Sequence, residues 1–180
     1  MPPVKLKPRP LPFAKRERAQ RQIEAMEKDG ILTKIRYSPW QTPLVAIEKN
    51  DGSFRLCADY RLTTNLAIIL DQYPLPTLDE LFAKMSGNRV WSRVDLTSAF
   101  LQLPVDEPSA LAQAITTPFG LYKVNVLNFG ISSAPSIFQN FITAQLADFQ
   151  ANIAVLLDDI LLGAPNHAEL KVLEDEFFEG

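Results

Sequence analysis

Short apolar runs, each bounded by polar turn residues, recur along this chain and predict strands. Two of them, residues 44–47 and 54–58, flank an Asn-Asp-Gly-Ser turn, and Asp-Gly between such runs is a strong hairpin signal. A second hairpin is predicted over residues 111–117 and 121–127, around a Pro-Phe-Gly turn. The chain should therefore contain at least two antiparallel strand pairs.

Segments with helical periodicity separate these runs. Helices are predicted over about residues 12–29, 77–85 and 133–149, and from Asn166 onward. Thr77 and Glu80 form a capping box at the start of the second helix, and Pro135 lies in the first turn of the third. Helices and mostly antiparallel hairpins are mixed without a βαβ rhythm, so the predicted fold class is α+β.

The composition is that of an ordinary globular chain. It has 180 residues, of which 47% are apolar and 22% are charged, enough for one sizeable core. The single Cys57 excludes an internal disulfide, and the single His167 excludes a His-metal cluster. No apolar stretch reaches the ~20 residues of a membrane span, and no secretory signal opens the chain. We therefore expect an intracellular protein, cytoplasmic or nuclear, with no membrane partner.

Charge is distributed unevenly along the chain. Residues 1–36 carry ten basic and four acidic side chains, although the net charge of the whole chain is −3. Residues 1–12 are also rich in Pro, which indicates an extended arm. A basic segment ahead of an acidic body favours a surface that follows the phosphates of a nucleic acid. A solvated helix face preceded by a loose tail has the same charge pattern.

Three acids at strand ends are the most informative polar residues. Asp158 and Asp159 lie between two apolar runs, so they are predicted at the tip of a hairpin, and Asp95 ends another strand pattern. Buried or adjacent carboxylates are costly without a counter-charge, and their oxygens suit a hard cation such as Mg²⁺. Asp-Asp is also a common turn dipeptide, because Asp hydrogen-bonds its own backbone. The dipeptide alone therefore leaves a metal site and a plain turn open.

Several motifs follow one another in an order that is typical of a known family. They are SPW at 38–40, EKNDGSFR at 48–55, DYR at 59–61, YPLP at 73–76, DLTSAFLQ at 95–102, FG at 129–130, APSIFQ at 134–139 and LDDIL at 157–161. Each motif is weak alone, but their order and spacing are specific. From about Leu11 to Leu173 the chain resembles the reverse transcriptase domain of gypsy-type LTR retrotransposons and retroviruses.

The resemblance implies a right-hand polymerase fold, of which this chain contains the fingers and the palm but no thumb. The palm is expected to have an antiparallel sheet packed on helices. The implied boundaries are an extended basic arm at 1–11, fingers at 12–75 and 104–132, and palm at 76–103 and 133–180. The chain is then truncated before the thumb.

The resemblance also implies the site residues. Asp95, Asp158 and Asp159 match the family's three catalytic aspartates, which bind two Mg²⁺ or Mn²⁺ ions during phosphoryl transfer. The residues that match the binding site for the incoming dNTP are Lys49, Arg55, Leu96, Phe100, Phe129 and Gly130. The two basic residues match positions that hold the triphosphate, and Phe100 matches the position that rejects a ribose 2′-OH.

The implied activity is that of an RNA-directed DNA polymerase, a nucleotidyltransferase within a retrotransposon polyprotein. It transfers a nucleotide from a dNTP to a primer 3′-OH by a two-metal mechanism. The implied partners are an RNA or DNA template with its primer, dNTPs, and the thumb, connection and ribonuclease H regions of the polyprotein.

The chain departs from the family pattern beside the expected site. Leu156 replaces the usual Tyr, and Asn128 replaces the usual Pro before Phe129 and Gly130. These changes favour an alternative, a degenerate or truncated non-catalytic remnant that keeps the fold and binds nucleic acid or a protein partner. A third interpretation, a metal-dependent nuclease, uses the same acids but lacks a nearby general base.

Overall fold

The computed structural model describes residues 2–48, 54–70, 73–149 and 152–179. Within these ranges the helices are α1 (Phe13–Lys28), α2 (Leu78–Lys84), α3 (Glu107–Ala112), α4 (Ala134–Gln145) and α5 (His167–Glu179). The strands are β1 (Leu32–Ile35), β2 (Thr42–Glu48), β3 (Phe54–Ala58), β4 (Val90–Asp95), β5 (Ile115–Thr117), β6 (Gly120–Val124), β7 (Ile153–Leu156) and β8 (Asp159–Ala164).

One compact unit, Met1–Leu70 with Phe100–Ala134, is built on a five-stranded sheet. The strand order is β1-β6-β5-β2-β3, in which β2 and β5 are parallel and the other neighbours are antiparallel. Helix α1 lies against β1. Its buried residues, Ala19 and Ile23, are four positions apart and therefore share one face of the helix.

The second compact unit, Asp71–Ala99 with Pro135–Gly180, has an antiparallel sheet in the order β4-β8-β7. Helix α5 lies against β8 and β4, and α2 contacts β7. Ile160 and Leu162, two positions apart on β8, are almost fully buried, so this strand has a core-facing side.

The predicted α+β class is confirmed by these elements. The boundaries between fingers and palm stay a prediction. In the part of the chain that the structure describes, no helix combines the length and the apolar character needed to cross a membrane.

The first predicted hairpin forms, since β2 and β3 pair antiparallel, although its turn at 50–53 lies outside the described residues. The second is shorter than predicted, because residues 111–112 end helix α3 and only β5 and β6 pair. Asp106 accounts for the difference. Its carboxylate accepts a hydrogen bond from the Ser109 N–H at 3.0 Å, and this cap starts a helix where the apolar pattern predicted a strand.

The helix signals at Thr77 and Glu80 are confirmed by a reciprocal capping box. The Glu80 N–H donates to Thr77 Oγ1 at 3.3 Å, and the Thr77 N–H donates to Glu80 Oε2 at 2.7 Å. The helix predicted over 133–149 is shorter in the structure. It ends at Gln145, and a tighter 3₁₀ turn follows at Ala147–Phe149.

Asp59 is a buried carboxylate that joins the N-terminal arm to the rest of the first unit. It is 7% exposed, and it accepts hydrogen bonds from Arg61 at 2.8 and 3.1 Å and from Arg9 at 2.7 Å. The bonds from Arg61 are the main cause that lowers the pKa of Asp59 from its ordinary 3.8 to about 2. Because Arg9 lies in the arm, this carboxylate holds the arm in place.

The lowered pKa of Asp59 predicts a loss of stability in acid. Its contribution is fully present above about pH 4 and is lost as the pH falls through about 2, because the unfolded chain binds the proton first. We expect a contribution of about 1–2 kcal/mol, reduced by the water around both arginines. Urea unfolding measures this contribution as the difference in unfolding free energy between the wild type and Asp59→Asn. The difference should become smaller as the pH falls. A gap that does not depend on pH contradicts the prediction.

Candidate active site

Asp95 and Asp159 are neighbours because β4 and β8 pair in antiparallel register. Asp95, the last residue of β4, is the Cα partner of Asp159, the first residue of β8. Directly opposed residues of antiparallel strands project from the same face, with Cβ atoms about 4.5–5.5 Å apart. Strand register therefore brings together two carboxylates that are far apart in the sequence.

The hairpin turn consists of Leu157 and Asp158, so the prediction that Asp158 and Asp159 together form the tip is wrong by one residue. Leu156 ends β7 and pairs with Asp159, which already belongs to β8. Leu157 has a φ of 55°, in the left-handed region that non-glycine residues rarely adopt. The Leu96 N–H donates to the Asp158 carbonyl oxygen at 2.9 Å, which links this turn to the end of β4.

The acids are not buried, so the expectation that desolvation makes a counter-charge necessary is wrong. The side chains of Asp95 and Asp159 are 63% and 50% exposed, and Asp158 is exposed as well. The Arg93 guanidinium lies 2.7 Å from the carboxylate of Asp159 and 3.8 Å from that of Asp95. Water and Arg93 together therefore offset the negative charge at this end of the sheet.

Gln139 of α4 supports the hairpin through its buried side-chain amide. Its Oε1 accepts a hydrogen bond from the Leu157 N–H at 2.7 Å, and its Nε2 donates to the Val155 carbonyl oxygen at 3.1 Å. Strand β7 is at the edge of its sheet, so among the described strands none pairs with its outer side, where the Val155 carbonyl oxygen and the Leu157 N–H of the following turn lie. The Gln139 amide takes the place of that missing strand and holds the turn that carries Asp158.

The donor set suits a hard divalent cation but is not assembled as a complete ligand shell. Carboxylate oxygens are the ligands that Mg²⁺ prefers, and Asp95 and Asp159 provide them side by side. Across the described ranges, no three Asp, Glu, His or Cys side chains are grouped so that they could hold a metal ion. A third ligand from Asp158 therefore requires its side chain to turn toward the other two.

Three residues that match the dNTP site come together in the first unit. The rings of Phe100 and Phe129 meet edge to face, with centroids 5.0 Å apart, and Phe100 is the more deeply buried. Gly130 follows with a φ of 89°, which favours glycine, and a Cβ there would lie 3.5 Å from the Ala58 carbonyl oxygen. The Gly130 carbonyl oxygen accepts a hydrogen bond from Asn65 Nδ2 at 2.7 Å, which fixes this segment.

The other residues of that set are placed separately. Arg55 is exposed on β3, opposite Ile47 of β2, in the first unit. Leu96 is half-buried and directly follows Asp95 in the second unit. Lys49 lies outside the described residues.

Two cavities of the second unit differ in their relation to the acids. A cavity of about 610 Å³ is lined by residues of α2, α4 and β7, including Gln139, but by none of the three aspartates. A smaller cavity of about 290 Å³ has Arg93 and Asp159 in its wall, among mostly apolar side chains of α2, β7 and β8. Of the three acids, Asp159 alone therefore borders the smaller, apolar cavity.

The sequence pattern assigned no role to two residues that contact the site, Arg93 and Gln139. Arg93 is two positions before Asp95, so strand alternation places both side chains on one face, and this signal was available in the sequence. Gln139 is polar, yet it lies on the face of α4 that buries Phe138 and Ile142. A polar side chain at a core position needs a hydrogen-bond partner, which is a second readable signal.

Comparison with known proteins identifies a matching family model and several related proteins. A family model described as reverse transcriptase (RNA-dependent DNA polymerase) matches residues 47–179. The chain is 34% identical over 170 residues to the enzymatic polyprotein of cauliflower mosaic virus (strain CM-1841), covering 92% of this chain and 25% of the polyprotein. It is 29% identical over 161 residues to the transposon Tf2-3 polyprotein of Schizosaccharomyces pombe, covering 89% of this chain and 12% of that polyprotein. An uncharacterized protein of Caenorhabditis elegans, K02A2.6, is 31% identical over 179 residues, covering 98% and 14%.

Solved structures of similar fold include those of foamy virus proteins. The crystal structure of the prototype foamy virus protease-reverse transcriptase has a TM-score of 0.88 at 25% identity, over 99% of this chain and 24% of that one. The foamy viral protease-reverse transcriptase in complex with an RNA/DNA hybrid has a TM-score of 0.81 at 25% identity, over 98% and 24%. The chain thus spans a quarter or less of the length of these relatives and structures.

Proposed function

Because this chain belongs to the reverse transcriptase (RNA-dependent DNA polymerase) family, we propose that it carries the nucleotidyl-transfer site of an RNA-directed DNA polymerase. In the reaction the 3′-OH of a primer attacks the α-phosphorus of a dNTP paired with a template base, the bond between the α- and β-phosphates breaks, and pyrophosphate leaves. The observation that carries the proposal is the cross-strand pairing of Asp95 with Asp159, with Asp158 in the adjoining turn. The assignment to gypsy-type elements within the family stays a prediction.

Asp95, Asp158 and Asp159 are the proposed ligands of two Mg²⁺ ions, in keeping with the divalent ions that reverse transcriptases generally use. Such ions, when bound, stabilise the attacking and leaving oxygens of an in-line displacement. The chain's own contribution is to hold the carboxylates. The β4–β8 register places Asp95 opposite Asp159. The turn that carries Asp158 is held by the Leu157 N–H, which donates to Gln139, and by the Leu96 N–H, which donates to the Asp158 carbonyl oxygen. Their exposure leaves them accessible to phosphates from solvent.

The proposed nucleic-acid partner is a template paired with its primer. The foamy viral structures similar to this chain include complexes with double-stranded DNA and with an RNA/DNA hybrid. The basic side chains within residues 1–36 supply phosphate contacts for such a partner. Since the curated relatives are polyproteins, we also propose that thumb, connection and ribonuclease H regions of the same polyprotein complete the enzyme.

The residues that resemble the family's dNTP-binding positions are proposed to bind the dNTP. Lys49 and Arg55 are proposed to hold the triphosphate, because a guanidinium pairs with phosphate oxygens through two parallel hydrogen bonds. Phe129 and Gly130 are proposed to line the nucleotide pocket, and Leu96 is proposed as a further dNTP-binding residue. Phe100 is proposed to exclude a ribose 2′-OH, and its edge-to-face contact with Phe129 supports this role by limiting movement of the ring.

Shortening Phe100 should relax the selection against ribonucleotides. Phe100→Val removes the ring that blocks the 2′-OH, and we expect rNTP incorporation relative to dNTP to rise about tenfold to a hundredfold. The ratio of kcat/KM for matched rNTP and dNTP measures the change. Phe13→Val is the control, because Phe13 is 90% exposed in the same unit. An unchanged ratio in an active, folded variant contradicts the role.

The alternative function, a non-catalytic remnant, is weakened by the contacts of Asn128. The Asn128 N–H donates to Gln113 Oε1 at 2.9 Å, and its Nδ2 donates to the Tyr60 hydroxyl at 2.8 Å. The Tyr60 hydroxyl in turn donates to the Gln113 carbonyl oxygen at 2.9 Å, and burial raises the pKa of Tyr60, so it stays a neutral donor. A Pro at this position has no N–H to donate. The contacts with Gln113 and Tyr60 therefore show that the neighbouring residues are adapted to Asn128.

Primer extension tests the proposed function. The polypeptide with its natural flanking regions should extend a primer according to the template when dNTPs and Mg²⁺ are supplied, and chelation of the metal should stop it. A folded polypeptide that binds nucleic acid but extends no primer is a remnant. Release of nucleotides from single-stranded substrate without dNTPs indicates a nuclease.

A further inference from the structure

Arg93 connects the two opposed carboxylates. Its Nε donates to Asp159 Oδ1 at 2.9 Å, and its Nη2 lies 2.7 Å from the same oxygen and 3.8 Å from Asp95 Oδ2. The contact follows from strand geometry, because Arg93 and Asp95 are two positions apart on β4 and share a face. One guanidinium therefore reaches a carboxylate on each of two paired strands.

We propose that Arg93 is a positioning residue that competes with the divalent cation for the catalytic carboxylates. The inference rests on the proposed metal role of Asp95 and Asp159. Without a cation, the guanidinium offsets the repulsion between the two carboxylates and holds Asp159 in one orientation. A cation that binds must share or displace this partner, so Arg93 lowers the affinity of the site for the metal.

The hydrogen bonds identify the ligand atom that is contested. Both close contacts of Arg93 with Asp159 go to Oδ1, so this oxygen is engaged while the ion pair persists. The contact with Asp95 is longer, at 3.8 Å, and acts through charge more than through a hydrogen bond. Release of Asp159 Oδ1 is therefore the step that links cation binding to movement of Arg93.

The exposure of the Arg93 and Asp159 side chains determines how much Arg93 is expected to lower the affinity for the cation. The side chains of Arg93 and Asp159 are 67% and 50% exposed, so water and salt screen their charges. A unit positive charge about 5–6 Å from a divalent ion in largely aqueous surroundings lowers its affinity about threefold to tenfold. Such a difference is measurable by direct titration.

Calorimetric titration of the polypeptide with MnCl₂ tests the proposal without reference to catalysis. Arg93→Gln removes the charge at an exposed position and should bind Mn²⁺ about threefold to tenfold more tightly than the wild type, with a gain that shrinks as KCl is raised. Arg93→Lys keeps the charge and should stay close to the wild type. Arg89→Gln removes the same charge just before β4, at the end of the strand opposite to Asp95, and should leave the affinity unchanged.

Melting curves give a second readout. Arg93→Gln should melt at a lower temperature than the wild type without divalent cation and should gain more from saturating Mn²⁺, because a ligand that binds the folded state raises its apparent stability. A purely structural role of Arg93 lowers both melting temperatures equally and leaves the affinity unchanged. Equal or weaker Mn²⁺ binding by folded Arg93→Gln overturns the inference.

An Asp158→Asn chain separates this outcome from failure of the proposed function. If the wild type binds Mn²⁺ and Asp158→Asn binds it much more weakly, the metal role stands, and the Arg93 variants alone decide the inference. If the wild type and Asp158→Asn bind Mn²⁺ equally, Asp158 is not a ligand, and the Arg93 variants still decide the inference. If the wild type does not bind Mn²⁺, the metal role of Asp95 and Asp159 fails and the inference fails with it.

Discussion

Replacing Asp158 or Asp159 by Asn is expected to lower primer extension by at least about a thousandfold, because each carboxylate is a proposed ligand of the ions that stabilise the transition state. Asn keeps the size of the side chain but removes its charge. Both side chains are exposed, so the free energy of unfolding should change by less than about 1 kcal/mol. Single-turnover extension with a labelled primer measures the rate, and urea unfolding confirms that the variants are folded.

The matched control for these substitutions is Asp148→Asn. Asp148 is an exposed acid of the same unit, in the 3₁₀ turn after α4, and its loss should leave extension unchanged. Asp159→Asn also removes the ion pair with Arg93, whereas Asp158→Asn leaves it in place. Extension at the parent rate by both variants would show that the acids are not metal ligands.

Gln139→Leu should cost about 2–4 kcal/mol of unfolding free energy and also reduce activity. The Gln139 side chain is 2% exposed and satisfies the Leu157 N–H and the Val155 carbonyl oxygen. Leu has a similar volume but satisfies neither group, and each buried group left without a partner costs about 1–3 kcal/mol. The turn that carries Asp158 then loses its support. Urea unfolding measures the stability, and primer extension measures the effect on the site.

Hydrogen exchange separates a local from a global effect of this substitution. The Leu157 amide should exchange faster in Gln139→Leu, more than the amides of α5 in the same unit. Gln145→Leu is the control, since Gln145 is exposed at the end of α4 and should change stability by less than about 0.5 kcal/mol. Protection of Leu157 equal to that of the wild type would show that Gln139 does not hold the turn.

Local signals predicted those parts of the fold that neighbouring residues decide. The capping box of Thr77 and Glu80 and the strand over residues 54–58 are confirmed because their interactions span only a few positions. The strand predicted over residues 111–117 begins only at Ile115, because a cap at Asp106 starts helix α3, which ends at Ala112. An apolar run of that length suits either structure, and the polar residue before it decided between them.

The candidate site was only partly readable from the chain. Its three acids were identified from apolar runs that end in Asp, and Asp95 and Asp159 are indeed opposed in the sheet. The exposure of these acids was not predictable from the sequence, because it depends on which elements cover the end of the sheet. The turn was misplaced by one residue, since Leu157, a residue with no turn preference, adopts the left-handed conformation there.

The order of motifs and the short-range periodicity of this chain were sufficient to predict its family, its α+β class and the acids that carry its proposed chemistry. These properties depend on residues that are close together in the sequence, so the sequence alone is enough to predict them. Tertiary structure alone placed the Arg93 guanidinium against Asp159, 66 positions away, and the Gln139 amide against Leu157, 18 positions away. Such contacts depend on strand register and on which helix covers a sheet edge, and both are decided only when the whole chain packs.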